Sequence, residues 1–299
     1  MQRKVITRII GGLGNQLFSY AAARRLALAN NAELVIDHVT GFENENDRYQ
    51  RFYQLDHFQI PARKATAAEQ LKPFPKIRRF TKKKVSKLLP YEKRSYITQE
   101  QMDFDPRLLQ LQLRKNVHIE GYWQSEEYFK DYEKTIRRDL EITPPSDEKN
   151  QEFAGLINEK ESVAVHVRFF DLPESGRTDN NTSVQYYNKA IKKVEKLNPN
   201  AHYFVFSDRT EAVKEILNLP EERYEIIHHN KGDKHAYADL WLMAQCKHFI
   251  IANSTFSWWG AWLAGNRGKI IFAPGFEKRC GKSQWGFEGL LPDNWIQLK

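Results

Sequence analysis

At 299 residues, with 41% hydrophobic, 13% aromatic and 28% charged side chains, the chain has room for two domains or two halves of one large α/β unit. The composition excludes disordered and fibrous classes. No window approaches the roughly 18–20 uninterrupted apolar residues of a membrane-spanning helix, and Arg8 interrupts an opening apolar run that is far too short for a secretory signal.

Two cysteines, Cys246 and Cys280, make neither a disulfide framework nor a metal cluster, so a reducing cytoplasm is the expected setting. The net charge of +8 is unevenly placed: residues 76–94, KIRRFTKKKVSKLLPYEKR, hold nine basic side chains and one acidic one. A solvated basic helix or hairpin is the first reading of that segment. Attraction to an anionic membrane surface, or to an anionic glycolipid acceptor, is the second; it would place the chain peripherally at the inner membrane face. Nucleic acid is not an expected partner, because no recognition motif accompanies the charge.

In chain order, the spacing of apolar residues predicts a strand over 5–10, a glycine turn at Gly11-Gly12-Leu13-Gly14, a helix over 15–29 and a second strand from Leu34. This βαβ opening implies a parallel sheet. A dinucleotide fingerprint starting at Gly12 would need glycine where Leu17 stands, so NAD is not expected. The turn still lets a ligand approach the backbone, with Asn15 and Gln16 at the helix mouth; a plain strand-to-helix turn explains it equally well. Residues 41–98 carry little periodicity. A strand over 117–120 then leads to Gly121-Tyr122-Trp123-Gln124, and Ser125 can cap a helix over 126–140. Thr143-Pro144-Pro145-Ser146-Asp147 is the expected boundary between domains 1–145 and 146–299.

Beyond it, helices over 150–159, 183–197 and 210–217 alternate with strands over 162–168, 202–206 and 224–228, and a last strand is expected over 269–273. In the strand Ser162-Val163-Ala164-Val165-His166-Val167-Arg168, a period of two puts His166 and Arg168 on one face at the carboxyl end, where open parallel sheets bind ligands. An arginine there can give a phosphate two charge-assisted hydrogen bonds; the plainer reading is a surface salt bridge and a backbone-satisfied histidine. Ser207 and Asp208 end the next strand, and Asp208 and Asp239 either cap helices or accept from a nucleoside. The stretch 239–265 reads as helix, buried strand, hydroxyl loop and helix. In it Asn253, Ser254, Thr255 and Ser257 make an anion site at a helix mouth, or an ordinary cap. Trp258, Trp259 and Trp262 read as core packing behind that loop. His228, His229 and His235 fit no metal template, and neither a zinc motif nor a nucleophile elbow is present.

Gly11-Gly12-Leu13-Gly14-Asn15-Gln16, Gly121-Tyr122-Trp123-Gln124-Ser125, His166-x-Arg168, Phe206-Ser207-Asp208 and Asn253-Ser254-Thr255-Phe256-Ser257-Trp258-Trp259-Gly260-Ala261-Trp262 occur in one order. Together they resemble the bacterial α-1,2-fucosyltransferases of glycosyltransferase family 11, from the N-terminus nearly to Pro292. The resemblance implies a GT-B-like fold, two Rossmann-like domains facing an inter-domain cleft, with the acceptor mainly on the first and the GDP-sugar on the second. It implies inverting transfer of fucose from GDP-β-L-fucose to a galactose-containing oligosaccharide or glycolipid in surface polysaccharide synthesis, with no metal and no cofactor. His166 and Arg168 match the start of the family motif H-x-R-R-x-D and Asp171 its end. Arg168 would hold the β-phosphate, Ser254, Thr255 and Ser257 would bind phosphate beside Asn253, and Asp239 and His166 would meet the guanosine end. Ser207, Asp208 and Gly12 join the donor set, Asn15 would face the reacting sugar, and Asp171 is a candidate base beside Glu174. Two positions depart from the pattern: Phe169 replaces the motif's second arginine, which Arg177 or Arg209 could replace in space, and Arg209 replaces a carboxylate. Phe169 leaves open a second reading, a guanine-nucleotide-binding module of the same fold that has lost or changed transferase activity.

Overall fold

A computed structural model describes residues 2–43, 50–275 and 285–299; Cys280 lies outside the described residues. The chain forms two compact units, Met1–Ile142 with Glu288–Leu290, and Thr143–Phe287 with Leu291–Lys299.

The first unit is built on β1 (Lys4–Arg8), α1 (Leu13–Ala29), β2 (Glu33–Asp37), β3 (Arg63–Lys64), α2 (Pro75–Lys87), β4 (Tyr96–Thr98), α3 (Arg107–Gln110), β5 (Val117–Glu120) and α4 (Glu133–Asp139). Its sheet runs β3-β2-β1-β5-β4 and every pairing is parallel. Val5, Ile6, Leu34, Val35, Ile36, Val117 and Ile119 are all buried, the near-continuous apolar text that parallel strands covered on both faces require. The helix expected over 126–140 is broken. Ser125 does cap, accepting from Glu127 N, but two 3-10 turns, Glu126–Tyr128 and Lys130–Tyr132, precede α4. Phe129 (φ −148°, ψ 1°) leaves helical geometry between them and is fully buried. The unpatterned segment 41–98 resolves into two short strands that complete the sheet edges and the basic helix α2.

The second unit contains α5 (Glu148–Glu159), β6 (Glu161–Val167), α6 (Val184–Leu197), β7 (Ala201–Ser207), α7 (Val213–Ile216), β8 (Tyr224–Ile227), α8 (Ala236–Gln245), β9 (His248–Ile250), α9 (Thr255–Leu263), β10 (Ile271–Pro274) and β11 (Ile296–Leu298). Its all-parallel sheet runs β11-β10-β9-β6-β7-β8. The chain winds outward from β6 through β7 to β8 and then returns to the other side of β6 as β9. The gap between the carboxyl ends of β6 and β9 is therefore the topological switch point, where such sheets take ligands. Behind it Trp258, Trp259 and Trp262 are buried, and Trp295 adds a ring 5.4 Å from Trp258, as expected of core residues.

Candidate functional site

The carboxyl edge of the second sheet collects most of the residues singled out above. β6 pairs with β7 as His166↔Phe206 and Val167↔Ser207, and with β9 as Val165↔Ile250. One residue further along β7 and three along β9, the same registers set Arg168 level with Asp208 and with Asn253. Arg168 Nη1 lies 2.9 Å from Asp208 Oδ2, and both side chains are largely covered. The other carboxylate oxygen of Asp208 accepts from Phe169 N at 3.1 Å, and the Arg168 guanidinium lies 5.3 Å from the Phe170 ring centre. Asp208 thus caps no helix; it fixes the arginine. Sequence reasoning weighed a cap or a nucleoside ligand and missed this pairing, whose only signal was the equal placement of both residues one step past adjacent strands.

His166 is buried, and its Nδ1 has no hydrogen-bond partner among the described residues. Burial, and then the Arg168 charge, push the imidazole down to about 3, so it is neutral at any working pH. Its carbonyl accepts from Tyr187 Oη at 2.9 Å, and its ring lies 5.5 Å from that of Phe256 in the first turn of α9. A neutral, orphaned ring nitrogen at a switch point is suited to hydrogen bonding with a ligand rather than to carrying a proton.

The hydroxyl loop divides its labour. Ser254 caps α9, accepting from Phe256 N at 3.3 Å. Ser257 is fully buried and its hydroxyl donates back to Ser254 O at 3.2 Å, so it faces the core side of the turn. Asn253 donates to Asn180 O at 2.8 Å and exchanges bonds with Thr182 Oγ1, joining the loop to the segment after β6. Within that segment Asn180 donates twice to Asp171, from its backbone N and from Nδ2, each at 2.9 Å. Asn181 Oδ1 accepts from Phe170 N and Asp171 N. Asp171 is thereby a clasp of the loop. The asparagines that hold it, in the run Asp179-Asn180-Asn181-Thr182, were not singled out from sequence, although a cluster of turn-forming amides is itself a signal.

Phe169 is 4% exposed and belongs to the same buried hydrophobic cluster as Val167, Tyr187 and Val213. Arg209 extends toward Glu211 at 3.9 Å and Arg177 is exposed. Asp239 sits in the first turn of α8, also on the carboxyl side of the sheet, where Asn230 donates to its Oδ1 at 2.9 Å. Asn230 and Asn150 exchange side-chain bonds, His229 Nε2 meets Asn150 Oδ1 at 3.1 Å, and Asp147 caps α5 through Asn150 N. Burial pushes the Asp239 carboxyl up to about 7, opposed in part by the Asn230 bond. Ser207 Oγ accepts from Arg209 N at 3.1 Å.

Gly12 and Asn15 lie in the first unit, at its own switch point between β1 and β5. Gly11 takes a left-handed φ of +78°, and a Cβ there would meet Asn15 Nδ2 at 3.1 Å and Tyr122 Oη at 3.3 Å, so the tight turn requires glycine. Gln124 donates to Asn15 Oδ1 at 2.8 Å, while Gln16 is a buried brace between Gly11 O, Phe52 O and Gln54 N. Among the described residues no group of three His, Cys, Asp or Glu side chains is placed to hold a metal ion, and no helix is long and apolar enough to cross a membrane.

Three comparisons bear on this arrangement. The family model described as glycosyl transferase family 11 matches residues 4–295. Among curated proteins, the chain is 30% identical to an alpha-1,2-colitosyltransferase of Escherichia coli over 302 residues, covering 99% of each. It is 27% identical to the O-antigen biosynthesis glycosyltransferase WbnK of Escherichia coli, covering 96% of this chain and 98% of that protein. Among solved structures it resembles the fucosyltransferase NodZ from Bradyrhizobium, with a TM-score of 0.52 at 18% identity, covering 87% of this chain and 92% of that one. The two parallel-sheet domains are thus of the GT-B kind, as the motifs implied.

Proposed function

The chain belongs to glycosyltransferase family 11, and from that premise we propose that it moves fucose from GDP-β-L-fucose, with inversion, to a galactoside hydroxyl in α-1,2 linkage, as a step of surface polysaccharide assembly. The observation that carries this reading is the Arg168–Asp208 pair beside His166, whose ring Nδ1 has no partner among the described residues, at the switch point of the second unit. In the proposed reaction the acceptor oxygen bonds to fucose C1 as the bond from C1 to the β-phosphate oxygen breaks on the opposite face. The acceptor proton passes to a base, and GDP leaves with the bonding pair. Arg168 neutralises the charge that builds on the departing diphosphate, where a preorganised donor acts most strongly. Asp208 and the Phe170 ring hold its guanidinium in place. Thr255, Ser254 and the backbone at the mouth of α9 receive the phosphates, with Ser257, Asn253 and Asp171 shaping that loop from behind. His166 offers its neutral ring to the nucleotide, Asp239 accepts from guanine N–H donors, and Ser207 completes the donor side. Gly12 and Asn15 are assigned to the reacting sugar. No metal is needed, because arginine and helix mouth supply the positive charge.

One observation favours a second donor. The 30% identical relative is named a colitosyltransferase, and colitose differs from fucose by one missing ring hydroxyl. A site that bonds that hydroxyl rejects the deoxy sugar by about 10⁴-fold or more, whereas a merely apolar wall discriminates about 10²-fold or less. The experiment is a screen of GDP-fucose, GDP-colitose, UDP-sugars and CMP-sugars for released nucleotide, with β-galactosides as acceptors and EDTA present. Release from GDP-fucose with an α-1,2-linked product is expected. Preference for GDP-colitose would move the donor assignment. GDP binding without release from any sugar nucleotide would establish the binding-module reading instead.

A further inference from the structure

The basic segment has no part in the reaction proposed above, and its helix is turned inside out. In a helix packed on a sheet the apolar stripe faces inward. In α2 the inward face is polar: Arg79 and Ser86 are the buried residues, Ser86 Oγ accepts from Tyr96 N at 3.0 Å, and Lys83 Nζ meets Glu120 at 2.8 Å. The apolar residues point away. Phe74 is 68% exposed, Ile77 65%, Phe80 58%, Val85 55% and Leu88 86%. At 3.6 residues per turn Ile77, Thr81, Lys84 and Leu88 form one line down the outer face, with Phe80 on one side of it and Val85 on the other, and Phe74 is the exposed residue that immediately precedes the helix. Lys76 and Lys87 flank this arc on one side and Arg78 and Lys82 on the other, and Lys84 Nζ lies 4.8 Å over the Phe80 ring. Lys76, Lys82, Lys84 and Lys87 make no ion pair among the described residues.

We propose that α2 docks this protein on an anionic lipid bilayer. The helix lies in the plane of the interface, Phe74, Ile77, Phe80, Val85 and Leu88 enter the headgroup–acyl boundary, and the flanking lysines rest on lipid phosphates. An outward apolar arc rimmed by lysine is the pattern of an interfacial helix, and long lysine side chains can reach up to the headgroups while their stems stay in apolar surroundings. Charge decides the occupant. A second copy seated stripe to stripe would bring two lysine rims together, whereas an anionic surface meets both the apolar and the basic parts. The proposal is independent of which sugar is transferred, because a soluble acceptor needs no membrane.

The test is flotation of the full chain with vesicles of phosphatidylcholine alone and of phosphatidylcholine mixed with phosphatidylglycerol. Two variants accompany it, Ile77→Gln/Phe80→Gln/Leu88→Gln and Lys76→Glu/Lys84→Glu/Lys87→Glu, together with the wild type at raised salt. The wild type is expected to float with the anionic vesicles only, and less at high salt. Each lysine lost should weaken partitioning about fivefold, and the apolar variant should bind at least about tenfold more weakly. Both variants should keep wild-type nucleotide release with a soluble acceptor, since they change exposed positions only. Absence of flotation with either vesicle, flotation of the apolar variant equal to wild type, or a wild-type dimer that the apolar variant dissolves would each overturn the proposal, the last in favour of a second copy as the occupant.

Discussion

Arg168 is the residue on which the proposed chemistry turns. Its position depends on Asp208 across the neighbouring strand and on the Phe170 face. Arg168→Ala should lower kcat by ~10²–10³ with little change in fold, the scale of losing one preorganised donor; unchanged turnover in steady-state assays would remove it from the mechanism. Phe169 invites the opposite experiment, since the family motif carries arginine there. In this chain the ring is buried in the hydrophobic cluster that also holds Tyr187 and Val213, so Phe169→Arg would bury an unpaired charge. The expected result is a loss of about 3–5 kcal/mol in urea unfolding with no gain in GDP affinity; unchanged stability with tighter GDP binding would show instead that the position faces the ligand. Asp239 carries a pH signature. Its folded pKa of about 7 lies above the ordinary carboxyl value of 3.8, so its contribution to stability falls as pH rises from about 4 to about 7 and is level above that. Guanine recognition needs the carboxylate, so GDP affinity should move the other way. It should weaken about tenfold per pH unit below about 7, and Asp239→Asn should flatten the profile in calorimetric titrations. The alternation of β6 made His166 and Arg168 legible as a pair. The Arg168–Asp208 bond was not legible, because it depends on the β6–β7 register, which no local pattern specifies.

Elements tell a similar story with different causes. The second unit was readable nearly throughout, because β6 and β7 carry long apolar text and α6 begins at a real cap, Ser183 accepting from Tyr186 N. The segment 41–98 was not. β3 and β4 have two and three residues and exist as strands only through their parallel partners β2 and β5. α2 defeats the amphipathic rule, since its apolar side looks outward. The return of Glu288–Leu290 to the first unit, with Glu288 N donating to Asp103 Oδ1 at 3.0 Å, left no periodic trace either. Packing within the site's scaffold is tight where α8 meets α9. A Cβ on Gly260 would fall 2.7 Å from Met243 Cγ, and Met243 is itself buried. Gly260→Ala should therefore cost about 1–3 kcal/mol by overpacking, despite the better helix propensity of alanine. A rise in the urea midpoint would show that Met243 can swing aside without loss.

At the scale of the molecule, two sheets with separate cores make a single unfolding free energy an ill-defined quantity. The second unit gathers residues around Val163, Val165, Tyr203 and Val205, while the first buries Ile6 and Val35 in its own sheet. Heating should thus give two transitions in scanning calorimetry. The residues assigned to GDP phosphate and guanine, Arg168, Ser254, Thr255 and Asp239, all belong to the second unit. A ligand stabilises only the state that binds it, by about 2.7 kcal/mol at a hundred times its Kd, which raises the midpoint of a domain of this size by about 5–11 °C. GDP at that excess is expected to move one transition by this amount and leave the other in place, and Asp239→Asn should abolish most of the shift at neutral pH. Equal movement of both transitions would mean that the nucleotide is held by both units, which would redraw the division of labour between acceptor side and donor side.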